Sequence, residues 1–113
     1  MSRKELGQWG ENLVAGYLVR RGYKGLQQNA RTPYGEIDLI AQKDEVTVFV
    51  EVKTRSSKAF GYPEEAITDQ KRIHLIEASQ AYLLENPELD GDWRIDVIAV
   101  LRLDNQKEPQ IEH

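Results

Sequence analysis

Residues 36–41 and 46–53 alternate polar and apolar side chains, and a single antiparallel pairing keeps both stretches in phase. With Gln42 opposite Thr47 as the innermost pair, residues 43–46 form a four-residue tip. Ala41 then meets Val48, Leu39 meets Val50 and Ile37 meets Val52, an apolar face throughout. On the reverse face Ile40 meets Phe49, Asp38 meets Glu51 and Glu36 meets Lys53. A slip of one residue would mix charged and buried positions, so the pattern selects this register. The same register sets two carboxylates against each other. Like charges opposed across a strand pair destabilise a sheet.

The flanking segments supply the rest of a small α/β unit. Ser2 and Glu5 fit a capping box. Leu6, Trp9, Leu13, Val14, Tyr17 and Leu18 recur at helical spacing, and Gly22 stops the helix after Arg21. A weakly patterned strand is expected over 23–30, followed by the turn Thr32-Pro33-Tyr34-Gly35. A polar loop spans 55–62. Pro63 or Thr68 opens a second helix that runs to about Glu85, with Ile73, Ile76, Ala81, Leu83 and Leu84 as its apolar positions and Asn86-Pro87 as its end. Residues 93–101 form a last strand. The order α-β-β-β-α-β predicts an α/β fold with a central mixed sheet flanked by helices. One domain is expected over 1–104, with 105–113 a poorly ordered tail.

Charge narrows the function classes. The formal net charge is −4, which speaks mildly against a nucleic-acid binder. The distribution is uneven. Residues 1–35 carry six Lys/Arg against two Asp/Glu, a net of +4, while 75–113 carry three against nine, a net of −6. Charges are screened over roughly 8 Å at physiological salt, so a local basic surface can act despite an acidic total. The plainer reading is an ordinary solvated face. The chain has no cysteine, which excludes disulfides and thiolate zinc sites and suits a reducing cytoplasm. Neither a signal peptide nor a membrane-spanning stretch is expected.

A divalent cation between Asp38 and Glu51 would turn their repulsion into coordination. Mg²⁺ takes oxygen ligands and is commonly held by one or two carboxylates with waters and a substrate phosphate. Lys53, two residues from Glu51 on the same face, could orient an attacking water or offset charge building on a phosphate. The competing reading is a solvated strand face with an ordinary Glu36–Lys53 ion pair.

Gly35-Glu36-Ile37-Asp38-Leu39-Ile40-Ala41 followed by Val48-Phe49-Val50-Glu51-Val52-Lys53-Thr54-Arg55 resembles the bacterial YraN (UPF0102) family. That family is similar to the PD-(D/E)xK nuclease superfamily, which includes restriction-endonuclease-like and Holliday-junction-resolvase-like enzymes. The resemblance runs from about Gly7 to Val100 and takes in Gly10-Glu11, Asn29-Ala30-Arg31, Phe60-Gly61-Tyr62-Pro63, Gln70-Lys71 and Arg94-Ile95-Asp96-Val97. It implies a restriction-endonuclease-like domain in which Asp38 and Glu51 are acidic metal ligands, Lys53 is the catalytic lysine and Glu11 completes the metal site. It also implies that Gln70 and Lys71 face the substrate. Ile37 stands where the superfamily name has proline, as is usual for the YraN type.

Arg31 and Arg55, at strand ends, are forked donors suited to phosphates, or surface residues. Glu36 shares the Asp38 face and belongs either to the site or to Lys53. Tyr34 and Tyr62 are expected to pack, with stacking on unpaired bases as the alternative. His74 reads as structural or exposed, and Trp9 and Trp93 as core. The resulting expectation is a Mg²⁺- or Mn²⁺-dependent endonuclease-like protein acting on DNA, perhaps branched or damaged, as a homodimer if it cuts both strands. The alternative is a non-catalytic nucleic-acid-binding module of the same fold.

Overall fold

A computed structural model describes residues 2–56, 68–102 and 108–113. The elements are α1 (Arg3–Arg20), β1 (Lys24–Thr32), β2 (Gly35–Lys43), β3 (Val46–Arg55), α2 (Asp69–Glu85), β4 (Trp93–Leu101) and β5 (Gln110–Glu112). The five strands form one sheet in the order β1-β2-β3-β4-β5. β3 and β4 are parallel and the other neighbours antiparallel. The fold is thus α/β with a mixed sheet, as the sequence predicts. No helix among the described residues is long and apolar enough to cross a membrane.

Local signals explain the boundaries. The Ser2 hydroxyl accepts from Glu5 N–H while the Glu5 side chain accepts from Ser2 N–H, a complete capping box. At the other end of α1, Gly22 adopts φ +89. Its N–H donates to Val19 O, and Tyr23 N–H donates to Leu18 O, the paired closure that a left-handed glycine permits. Of the two candidate starts for α2, Thr68 is the N-cap, its side chain accepting from Lys71 N–H at 3.1 Å. Tyr62, Pro63 and the rest of 57–67 lie outside the described residues.

The β2–β3 hairpin has the expected register from Leu39↔Val50 to Gln42↔Thr47, and Lys43↔Val46 extends it. The tip is therefore two residues, Asp44 and Glu45, not four. Both have positive φ, +52 and +67, as a tight hairpin turn matched to strand twist requires.

The sheet separates two cores. On one face Val14 and Leu18 of α1 pack against Leu39, Ala41, Val48, Val50, Val52, Ile98 and Val100. On the other, Ala78 of α2 packs with Ala30, Ile37, Ile40 and Phe49. Phe49 meets both Tyr82 and Trp93 edge-on, with centroids 5.9 and 5.8 Å apart.

Three expectations change. Ile37 lies with Ile40, not with Leu39 and Ala41. Residues three apart share a strand face only where the alternation breaks, and the break falls at Asp38, just beyond the end of the β2–β3 ladder. The face of α2 turned to the sheet carries Leu75, Ala78 and Ser79, while Ile73, Ile76 and Leu84 are exposed, Leu84 to 83%. Apolar residues surround this helix, so its phase is not legible from hydropathy. Finally, residues 110–112, read as tail, pair with β4 through Val100↔Ile111. Ile111 packs on the α1 core, and one apolar residue is too short a pattern for periodicity to detect.

Candidate active site

The site forms where β2 and β3 part. Beyond Leu39↔Val50 the ladder ends, and the Val52 N–H donates to Asp38 Oδ2 at 2.8 Å. Asp38 therefore replaces a backbone acceptor, which pins its carboxylate beside β3. On the other side of β2 the ladder omits the Asn29–Asp38 step, and Asn29 has φ +52. Asparagine tolerates that left-handed conformation better than most residues. The Asn29 amide donates to Glu11 Oε1 at 2.7 Å and to Glu36 Oε1 at 3.0 Å, tying α1 to β2 beside the site.

Glu51 is the buried charge, 4% exposed. It lies one alternation from Phe49, on the α2 face of β3. Two ammonium groups answer it: Lys71 Nζ of α2 at 2.6 Å and Lys53 Nζ at 3.3 Å from the same Oε1. A buried carboxylate needs such partners. Lys53 thus pairs with Glu51, not with Glu36 as the hairpin register predicts, because the strands have separated by that point and β2 there pairs with β1 through Arg31↔Glu36.

The charges perturb one another. Burial, and then the Glu51 charge, push the Asp38 carboxyl up to about 7 against an opposing hydrogen bond from Val52. Burial also raises Glu11, offset by Asn29 and reinforced by Glu36 and Glu51. Burial and the neighbouring Lys71 lower the Lys53 pKa, so it is the lysine pushed toward neutrality. Burial works against the Lys71 ammonium too, but its contact with Glu51 wins and its pKa rises.

Glu11, Asp38, Glu51, Lys53, Arg55 and Lys71 line one cavity. Gln70 and Lys71 line a second that shares Asp38 and Glu51. Arg31 lines a third beside Arg3, Lys4, Glu11 and Glu36. All nine residues singled out in the sequence therefore line one or more of three neighbouring cavities that share residues. Asn29 was not singled out for the site. The sequence signal that would have found it is an asparagine, free to take positive φ, within an extended stretch.

The donor set fits a hard divalent cation in kind. It consists of carboxylate oxygens at a position where burial, and then the neighbouring Glu51 charge, raise Asp38. Among the described residues, no three carboxylate or imidazole groups converge closely enough to cage an ion unaided. Mg²⁺ needs only one or two carboxylates when waters and a phosphate complete its shell, and Asp38 and Glu51 are the two that would supply them. The Glu11 carboxylate is engaged by Asn29.

Comparison with known proteins places this geometry in context. Residues 10–100 match the family model described as uncharacterised protein family UPF0102. A UPF0102 protein of Syntrophomonas wolfei is 49% identical over 87% of this chain and 85% of its own length. One from Syntrophotalea carbinolica is 45% identical over 98% of this chain and 89% of its own length. One from Alkaliphilus oremlandii is 46% identical, with coverages of 97% and 94%.

Proposed function

The chain belongs to the UPF0102 family, and from the chemistry of its site we propose that it is a divalent-metal-dependent endonuclease-like protein that hydrolyses phosphodiester bonds in DNA. One observation carries this reading. Asp38, raised to about 7, and Glu51, 4% exposed, share a groove with two lysines of opposite tendency. Strongly perturbed groups clustered in a cleft mark a functional site more often than a structural one.

Asp38 and Glu51 hold Mg²⁺ or Mn²⁺, with Glu11 assisting from α1. When bound, such an ion polarises a phosphoryl oxygen and lowers the pKa of a water. Lys53, whose ammonium burial disfavours, orients the attacking water or offsets charge building on the phosphate. Lys71, Arg55, Arg31 and Gln70 meet the substrate strand, the arginines as forked donors to phosphate. Glu36 acts on Glu11 through their shared hydrogen-bond partner, Asn29. The setting is the cytoplasm, and a twofold pair of chains would serve cutting of both strands.

The test is a cleavage panel of single-stranded, duplex, flapped and four-way DNA in Mg²⁺ and in Mn²⁺. Cleavage of at least one substrate, lost in Asp38→Asn and in Lys53→Ala with folding intact, is the expected result. Unchanged cleavage in both variants rejects it. A second reading, a non-catalytic DNA-binding module, draws support from the two lysines that pair with Glu51 at 2.6 and 3.3 Å and offset its charge. Salt-sensitive binding of branched DNA without cleavage in either metal selects that reading.

A further inference from the structure

On the α2 side of the carboxylates lies a cavity of about 570 Å³ that shares Asp38 and Glu51 with the groove. Its lining divides by chemistry. Leu75 and Ala78 of α2, both buried, give it an apolar floor. Tyr34 provides an aromatic wall, and Thr68, Gln70 and His74 provide a polar rim.

Tyr34 is the unusual member. It belongs to neither core cluster and is 48% exposed, so packing, the sequence-based expectation, does not account for it. Its backbone is nevertheless fixed. The Thr32 hydroxyl donates to Gly35 O at 2.7 Å and accepts from Tyr34 N–H at 3.1 Å, and Gly35 turns the chain with φ +127. The turn that carries the ring is thus braced, and Tyr34 lines the cavity while half-exposed. A half-exposed aromatic on a rigid support, facing an apolar floor beside a charged centre, suits a flat apolar group with polar edges.

We propose that this cavity is a nucleobase subsite. It takes one unpaired base of the strand whose phosphate lies at Asp38 and Glu51, stacked on Tyr34 above Leu75 and Ala78. Gln70 and His74 stand at its edge, where an amide and an imidazole each offer a donor and an acceptor. The subsite rests on the nuclease reading and adds the substrate class: DNA with an unpaired base next to the bond to be cut, as in a fork or flap. Stacking of a base on an aromatic ring is worth roughly 1–3 kcal/mol. Extruding a paired base costs a few kcal/mol, so duplex DNA gains little from the subsite.

The experiment uses forked and duplex DNA carrying 2-aminopurine, held by the full chain in Ca²⁺ to separate binding from turnover. Wild type is expected to bind the fork more tightly and to quench the unpaired 2-aminopurine. Tyr34→Ala is expected to lose the quenching and to weaken fork binding by about 5- to 150-fold, with duplex affinity within about twofold. Tyr34→Phe and Tyr34→Trp retain both properties. Equal weakening on fork and duplex, or failure of the aromatic variants, overturns the subsite. Loss of all DNA binding at low salt in wild type removes the subsite and the nuclease reading together. Tyr34-dependent quenching without cleavage in Mg²⁺ or Mn²⁺ keeps the subsite and removes only hydrolysis.

Discussion

Replacing Asp38 by Asn is expected to stabilise the metal-free protein at pH 8, although the Asp38 side chain holds a backbone N–H of β3. The Val52 N–H donates to Asp38 Oδ2, and an asparagine oxygen can still accept it, so that link survives though without the carboxylate's charge. What disappears is a buried charge facing Glu51. The carboxyl sits at about 7 in the folded chain against an ordinary value of 3.8, so between those pH values the folded state holds a proton that the unfolded state has released. Stability therefore falls as pH rises through that window and levels off above it. Each pH unit contributes about 1.4 kcal/mol, which sets a ceiling of roughly 4 kcal/mol over the whole window. Desolvation of the new amide and the response of Glu51 take part of this back, leaving an expected gain of about 1–3 kcal/mol at pH 8. Glu11, raised in the same sense, largely cancels in the comparison. Urea unfolding of both proteins in EDTA at pH 5, 6, 7 and 8 reads the effect. The advantage of the variant should shrink by roughly 2–3 kcal/mol between pH 8 and pH 5. Saturating Mg²⁺ at pH 8 should stabilise wild type alone, by about 2.7 kcal/mol at a hundred times its Kd. A difference between the two proteins that stays flat from pH 5 to pH 8 would refute the placement of Asp38 as a desolvated, repelled carboxylate.

Further perturbations probe the scaffold around that group. A Cβ at Gly10 would overlap the Thr54 hydroxyl and come within 3.0 Å of Thr54 Cβ. Gly10→Ala should therefore cost about 1–2 kcal/mol in thermal unfolding, overpacking outweighing a helix-propensity gain of about 1 kcal/mol. Adding Thr54→Ala should recover part of the loss, since that hydroxyl is buried without a partner; a stabilised Gly10→Ala protein would show the helix–strand approach to be looser. Lys71→Gln removes the ammonium 2.6 Å from Glu51 and should tighten Mn²⁺ binding several-fold by calorimetry, whereas weaker binding would make Lys71 a support of the metal position and not a competitor for it. Asn29→Ala loses the bridge between Glu11 and Glu36 and places a Cβ residue without an amide at φ +52. Chemical denaturation should show a loss of about 1–3 kcal/mol, with Asn29→Gly milder because glycine accepts that φ; equal losses would assign the whole effect to the hydrogen bonds.

Legibility followed the strength of local pattern. The β2–β3 register was readable because a central strand buried on one face by Val48 and Val50 and on the other by Phe49 admits no slip. The caps at Ser2, Gly22 and Thr68 were readable because each satisfies backbone groups that a helix end leaves open. The juxtaposition of Asp38 and Glu51 followed from the register, but its outcome did not. The ladder ends one step short of them, Ile37 changes face, and Lys53 turns from Glu36 to Glu51. Those shifts depend on Asn29, on α1 approaching Thr54 through Gly10, and on Lys71 arriving from α2. All three are long-range contacts that a periodicity cannot encode. The phase of α2 was hidden for a simpler reason: Ile73, Ile76 and Leu84 look like core and are exposed, while Ser79 looks like surface and is buried, and Lys71, still 42% exposed, reaches Glu51.

The parallel junction of β3 with β4 also governs when the charged cluster can come into being. Antiparallel neighbours close through short turns, but a parallel neighbour needs a long crossover, here the whole passage from Arg55 to Trp93 that includes α2. Such non-local closure is slow beside hairpin formation. The β1–β3 meander can therefore zip first, with Asp38 and Glu51 still in water and ionised independently. Lys71 arrives only with the crossover, and Glu51 is shut from solvent only then. A chain still emerging from synthesis carries Asp38 and Glu51 before α2 and β4 are available to enclose them, so the charged cluster is complete only once the crossover has closed.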